Sequence, residues 1–125
     1  MCLLAGVTHW DHVRIDCLAE SHRATTNPLR RDGCLGILCG VEYAAQAMAL
    51  HGALRAESGQ ARGGFLASVR DLAWQIDRLD LLPGPLLVAA ARLHGEADRV
   101  IYGFELRHGE DLLLEGRAAV VLAAA

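Results

Sequence analysis

A helix that is apolar on nearly every side is stable in water only when other structure wraps it, and residues 38–57 spell such a helix. Val41, Ala45, Met48 and Gly52 fall on one helical stripe, with Leu38, Glu42 and Ala49 on the next. Alanine at 44, 45, 47, 49 and 53 adds helix propensity, and such small side chains let surrounding backbone approach closely. Between Leu38 and Arg55 the single carboxylate is Glu42. An ionisable group in so apolar a segment is costly unless something uses or satisfies it, which makes Glu42 the leading functional candidate.

The remaining chain reads as strand and turn. Met1 to Val7 and Val13 to Ala19 form two extended segments joined by a polar turn at His9 to His12; in the second, Val13, Ile15, Cys17 and Ala19 alternate with Arg14, Asp16 and Leu18. Ser21 to Asp32 is a polar loop carrying Asn27-Pro28, which disfavours helix at Asn27, and it ends in the turn signal Asp32-Gly33. Ser58-Gly59 and Gly63-Gly64 close off the helix. Strands are then predicted over Phe65 to Leu79, Pro85 to Leu93, Val100 to Arg107 and Leu112 to Ala124, following one another as an antiparallel meander, with the alanine tail fraying. A hairpin, one long helix and a run of strands predict a single α+β domain over residues 1–125. A sheet of five or six strands curls round the helix. It leaves edge strands and a partly open helix face that dimerisation would close.

The totals exclude several functions. No segment reaches the roughly 18 consecutive apolar residues of a membrane helix. All 12 basic residues are arginines dispersed along a chain of net charge -3, so nucleic acid is not an expected partner. The opening MCLLAGV has no basic region before it, so it is not read as a signal peptide, and the expected location is cytoplasmic. Cys2, Cys17, Cys34 and Cys39 lack zinc-site spacing and are predicted to be reduced, mostly buried thiols.

Two segments carry a family resemblance: NPLRRDGCLG before the helix and GVEYAAQAMALHG, Gly40 to Gly52, at its start. They resemble the hot-dog fold (R)-3-hydroxyacyl-acyl-carrier-protein dehydratases, and among these the aryl-polyene-type dehydratase-like proteins. The resemblance implies a sheet wrapped round one central helix, in a homodimer or in a heterodimer with another hot-dog dehydratase. It implies a substrate carried on the phosphopantetheine of an acyl carrier protein, with no diffusible cofactor or metal. A histidine and a helix carboxylate meet across the dimer interface in such enzymes. The histidine removes the C2 proton, the carboxylic acid helps the C3 hydroxyl leave, and backbone N–H groups at the helix start polarise the thioester carbonyl.

On these grounds Glu42 takes the place of the catalytic carboxylate, and burial among Val41, Ala45 and Met48 would favour the protonated form an acid needs. Gly40 lies at the helix start, where an N–H would meet the carbonyl. Gln46, one turn beyond Glu42, could orient it or serve only packing. The histidine is the departure: its expected position falls on Asn27 and Pro28. His22 is the nearest substitute, either as the base, if the loop doubles back, or as a polar residue closing the strand. Asn27 could hold a carbonyl or a water but cannot act as a base. Arg30 and Arg31 could dock an acidic carrier protein or form a solvated charge pair with Asp32. The Leu-Pro-His lead-in frequent in this family is absent ahead of MCLL, so a truncated start is one reading. The sequence therefore points to dehydration of 3-hydroxyacyl thioesters. Its rivals are a non-catalytic partner of a complete dehydratase and an acyl-thioester hydrolase in which Glu42 activates water.

Overall fold

The computed structural model describes residues 2–56 and 63–123. The chain runs β1 (Gly6–Trp10), β2 (Arg14–Ala19), α1 (Gly40–Arg55), β3 (Gly64–Trp74), β4 (Leu86–Gly95), β5 (Arg99–His108) and β6 (Asp111–Leu122). The six strands form one antiparallel sheet in the order β1-β2-β4-β5-β6-β3, and α1 lies across β2, β4 and β5. The opening strand starts at Gly6, later than predicted, and the Ser58-Gly59 stop and the end of the alanine tail lie outside the described residues.

Period-two alternation sets the inner face. Ile15, Cys17 and Ala19 of β2, Leu86, Val88 and Ala90 of β4, and Val100, Tyr102, Phe104 and Leu106 of β5 are buried under the helix. From α1 they meet Tyr43, Ala44, Ala47, Met48 and His51, an arc centred on one side of the helix. The helix also begins later than predicted, at Gly40, after a 3-10 turn over Ile37–Cys39. Gly40 explains how its start fits: a Cβ there would stand 2.7 Å from Leu114 Cδ2 and 3.0 Å from Leu106 Cδ2, so only hydrogen lets the helix press onto β5 and β6.

The meander expectation needs correcting. β4, β5 and β6 do follow one another, but β3 pairs with β6 at the far edge and β2 pairs with β4. The segment returning from β3 to β4 is held by the loop before the helix: Ile37 N–H donates to Asp77 O at 2.9 Å, Leu79 N–H to Leu35 O at 2.8 Å and Leu35 N–H to Asp80 Oδ1 at 2.9 Å. The Arg78 guanidinium on Asp80 holds that carboxyl well below the usual carboxylate range. Asp32 and Gly33 both take positive φ, 53° and 77°, closing the predicted tight turn between Arg31 and Cys34.

The helix is open on its outer side, as expected: Glu42, Ala49, Gly52 and Ala53 are exposed. The edge strand β3 exposes Phe65 (63%) and Trp74 (47%), large apolar side chains at an unpaired edge. No helix of the described residues is long and apolar enough to cross a membrane. All four cysteines are free; only Cys17 is buried, which pushes its thiol up to about 11, while Cys2 is exposed and Cys34 and Cys39 are half-buried. The expectation of mostly buried thiols thus holds for one of them, because the other three sit on the N-terminal segment and the loop before α1, which lie at the sheet's margin.

Two histidines are fully buried, His22 and His51. His51 bridges Tyr102 Oη and Asp11 O, both at 2.8 Å, and burial lowers the pKa of each imidazole. The unfolded chain takes up these protons nearer the ordinary histidine value of about 6.5, so the stabilisation is complete above that pH and is lost as the pH falls below it. The urea midpoint is expected to drop between pH 7.5 and pH 5; an unchanged midpoint would contradict the neutral buried pair.

Candidate functional site

The site candidates gather round the start of α1, and the loop before it is locked by one buried hydrogen-bond chain. Ser21 Oγ donates to Leu3 O at 2.8 Å, Tyr43 Oη lies 2.7 Å from Ser21 Oγ, and Asn27 Nδ2 donates to Tyr43 Oη at 3.0 Å. Asn27 Nδ2 also donates to Ser21 O at 3.0 Å, and Asn27 Oδ1 accepts Leu29 N–H at 2.9 Å. Both polar atoms of Asn27 are therefore spent inside the loop and the residue is 4% exposed, so its amide is not turned toward a thioester. Burial raises the Tyr43 pKa, which keeps its hydroxyl protonated and able to serve this chain. Tyr43 is a residue that motif and spacing do not single out; its one signal in the sequence is a phenol on the buried arc of α1, which requires a partner for its hydroxyl.

His22 sits in a 3-10 turn, Ser21–Arg23, with no exposed surface. Its Nε2 lies 3.0 Å from Leu82 O, so Nε2 carries the proton and Nδ1 is the acceptor; Nδ1 is buried and has no hydrogen-bond partner among the described residues. The imidazole closes the strand end, and neither nitrogen opens to a substrate. Arg30 is equally occupied: Nε donates to Ala24 O at 2.9 Å, Nη1 to Gly33 O at 2.7 Å and Nη2 to His22 O at 3.4 Å. It stitches the loop. Arg31 is exposed, with Nη1 on Arg30 O at 3.2 Å.

Glu42 stands in the first turn of α1, exposed, with no hydrogen bond or ion pair among the described residues. Burial among Val41, Ala45 and Met48 is not what the chain provides: Glu42 lies on the side of the helix opposite the Tyr43–Ala44–Ala47 arc, and Val41 and Ala45 are only half-buried. Gln46 Oε1 accepts Leu3 N–H at 2.8 Å, tying the N-terminal segment to the helix. The Gly40 N–H is also engaged, on Ile37 O and Leu38 O. Before it, Cys39 N–H donates to Gly36 O and Ile37 N–H to Asp77 O. Leu38, on the turn that leads into α1, is exposed at the positive end of the helix.

One turn beyond Glu42 begins a cavity of about 550 Å³ between the flank of α1 and the strands β3, β5 and β6. Ala45, Met48, Ala49 and Gly52 form its helix wall. An exposed carboxylate one turn ahead of a mostly apolar groove suits an acyl thioester: the groove takes the chain, and the carboxyl exchanges a proton.

A model of the ApeP-like family, described as ApeP dehydratase, matches residues 1–124. No curated protein matches the sequence. Among solved structures, the dehydratase heterocomplex ApeI:P from Xenorhabdus doucetiae is similar over 98% of this chain and 83% of its own, with TM-score 0.77 and 20% identity. The thioesterase HI1161 from Haemophilus influenzae matches over 94% of this chain and 76% of its own, with TM-score 0.69 and 14% identity. A variant of the thioesterase SAV0944 from Staphylococcus aureus matches over 95% and 93%, with TM-score 0.72 and 12% identity. At such identities the likeness is one of fold, and that fold is the hot-dog.

The buried chain makes the loop measurable. Tyr43→Phe strips Asn27 and Ser21 of a shared partner and is expected to lower unfolding free energy by about 1–3 kcal/mol. Arg31→Ala is expected to stay within about 0.5 kcal/mol of the parent protein. Urea denaturation checks both; equal effects would contradict the assignment.

Proposed function

The chain belongs to the ApeP-like dehydratase family, and we propose that it works as one subunit of a two-chain dehydratase acting on 3-hydroxyacyl thioesters of acyl carrier protein. The observation that carries this reading is the division of the site. Glu42 stands exposed and unpartnered at the head of the groove, while His22, the histidine its own chain offers as a base, is sealed against Leu82.

In this reading the base is a histidine of a second hot-dog subunit laid on the open helix face. It takes the C2 proton, the C2–C3 double bond forms, and the C3–O bond breaks as Glu42 gives its proton to the departing hydroxyl, which leaves as water. The Leu38 amide bears the charge that develops on the thioester oxygen. Support for a two-chain form comes from the similar ApeI:P structure, a dehydratase heterocomplex, and from the exposed Phe65 and Trp74 on the free edge of β3. Arg31, exposed on the loop, is placed to meet an acidic carrier protein. The hydrolase reading loses Asn27 as a carbonyl holder, since its amide is committed to Tyr43 and Ser21.

The test combines the protein with a histidine-bearing hot-dog dehydratase subunit and a 3-hydroxyacyl carrier protein, followed by mass. Loss of water is expected, and Glu42→Gln should slow it by about 100-fold or more with the fold intact. Loss of the acyl group would make the protein a hydrolase. An undiminished rate in the Glu42 variant would reduce this chain to a scaffold for its partner.

A further inference from the structure

The groove that starts beside Glu42 ends among charges that the dehydration chemistry does not use. Arg55, in the last turn of α1, and Arg92, near the end of β4, both line the cavity, and neither forms an ion pair among the described residues. Arg55 Nε is buried without a hydrogen-bond partner. Arg92 pairs in register with Tyr102 on the inner face, and its guanidinium lies over Gly95, where any Cβ would collide with it. Both cations line the same cavity as Tyr102, and each acts on the buried pair beneath it: Arg55 and Arg92 lower the pKa of His51, after burial, and oppose the rise that burial gives Tyr102. The Asp11 carboxylate, which also acts on His51, is committed elsewhere, with Oδ1 accepting Val13 and Arg14 N–H at 2.8 Å and Oδ2 on His9.

A buried guanidinium nitrogen without an acceptor is costly, and a second guanidinium without an ion pair among the described residues on the same cavity raises that cost. An anion entering along the groove relieves it, and a guanidinium pair suits a carboxylate. Along α1 the distance from Glu42 to Arg55 is about 20 Å at 1.5 Å per residue, which an extended chain of about sixteen carbons spans.

We propose that Arg55 and Arg92 form an anion subsite at the far end of the groove, which selects acyl chains whose distal end carries a carboxylate. The assignment rests on the dehydratase reading only for the direction of the chain, with its thioester at Glu42. The methyl end of an ordinary fatty acyl chain leaves both guanidiniums unsatisfied. A terminal carboxylate satisfies them.

Binding without turnover tests this, so the subsite stands or falls independently of the dehydration reaction. The probes are N-acetylcysteamine thioesters of a hexadecanoyl chain and of its distally carboxylated counterpart, titrated calorimetrically into the protein. The carboxylated thioester is expected to bind roughly tenfold tighter or more. Arg55→Gln and Arg92→Gln should each remove most of that preference while leaving the affinity for the methyl-ended thioester in place, with thermal melts confirming the fold. Arg55→Lys, which keeps the charge, should retain part of the preference and covers the case in which Arg55→Gln does not fold. Equal affinities for the two probes, or a preference that survives both glutamine variants, would overturn the subsite. Pantetheine 4′-phosphate binding more tightly than pantetheine, with the same arginine dependence, would assign the two cations to the carrier arm's phosphate and overturn the carboxylate assignment.

Discussion

Everything in this molecule follows from how closely one helix is seated on its sheet. Gly40, Ala44 and Ala47 give α1 a thin inner face, so its backbone drops onto β2, β4 and β5, and the space at its start is already filled by Leu106 and Leu114. A helix held this way needs cover on one side only. The opposite side, from Glu42 through Ala49 to Ala53, is left bare, and the flank toward β3 and β6 is left hollow. Bare stripe and hollow flank are the two parts of the candidate site, and neither exists without the close seating.

The polar interactions that fix the loop are of unequal worth. Exposed pairs such as His9 with Asp11 and Arg14 with Asp16 add little, because water screens them. The chain Leu3–Ser21–Tyr43–Asn27 is buried, and leaving any member unpaired costs more than an exposed pair contributes. It binds the N-terminal segment, the loop and the helix into one unit, so Glu42 is presented from a rigid base. Function is thereby separated from stability along the helix: the inward arc holds the fold, and the outward stripe is free for chemistry and contact.

Much of this was legible in the sequence, because periodicity reports burial. The period-two alternation of β5 and the small residues of α1 gave the sheet, the helix and the openness of its outer face, and the stretch from Asn27 to Gly52 carried the family likeness. Local pattern does not report which strand neighbours which, so β3 was misplaced. Nor does it report where a polar side chain spends its hydrogen bonds. Asn27, Arg30 and Gln46 looked available because their partners, Tyr43, the carbonyls of Ala24 and Gly33, and Leu3, are chosen by the folded loop. His22 looked like a base for the same reason, until Leu82 is brought beside it from far along the chain. Glu42 was expected to be buried because its neighbours in sequence are apolar, yet those neighbours turn away from it.

The central claim is that this chain holds half of a site, whose other half comes from a second hot-dog subunit across the open stripe. A crystal structure of the protein in its assembled form tests it most directly. The expected result is a stripe from Glu42 to Ala53 covered by the second subunit, with an imidazole of that subunit facing the Glu42 carboxyl closely enough for one small substrate to span them. An assembled form in which the stripe stays open to solvent, or in which no imidazole faces Glu42, would contradict it.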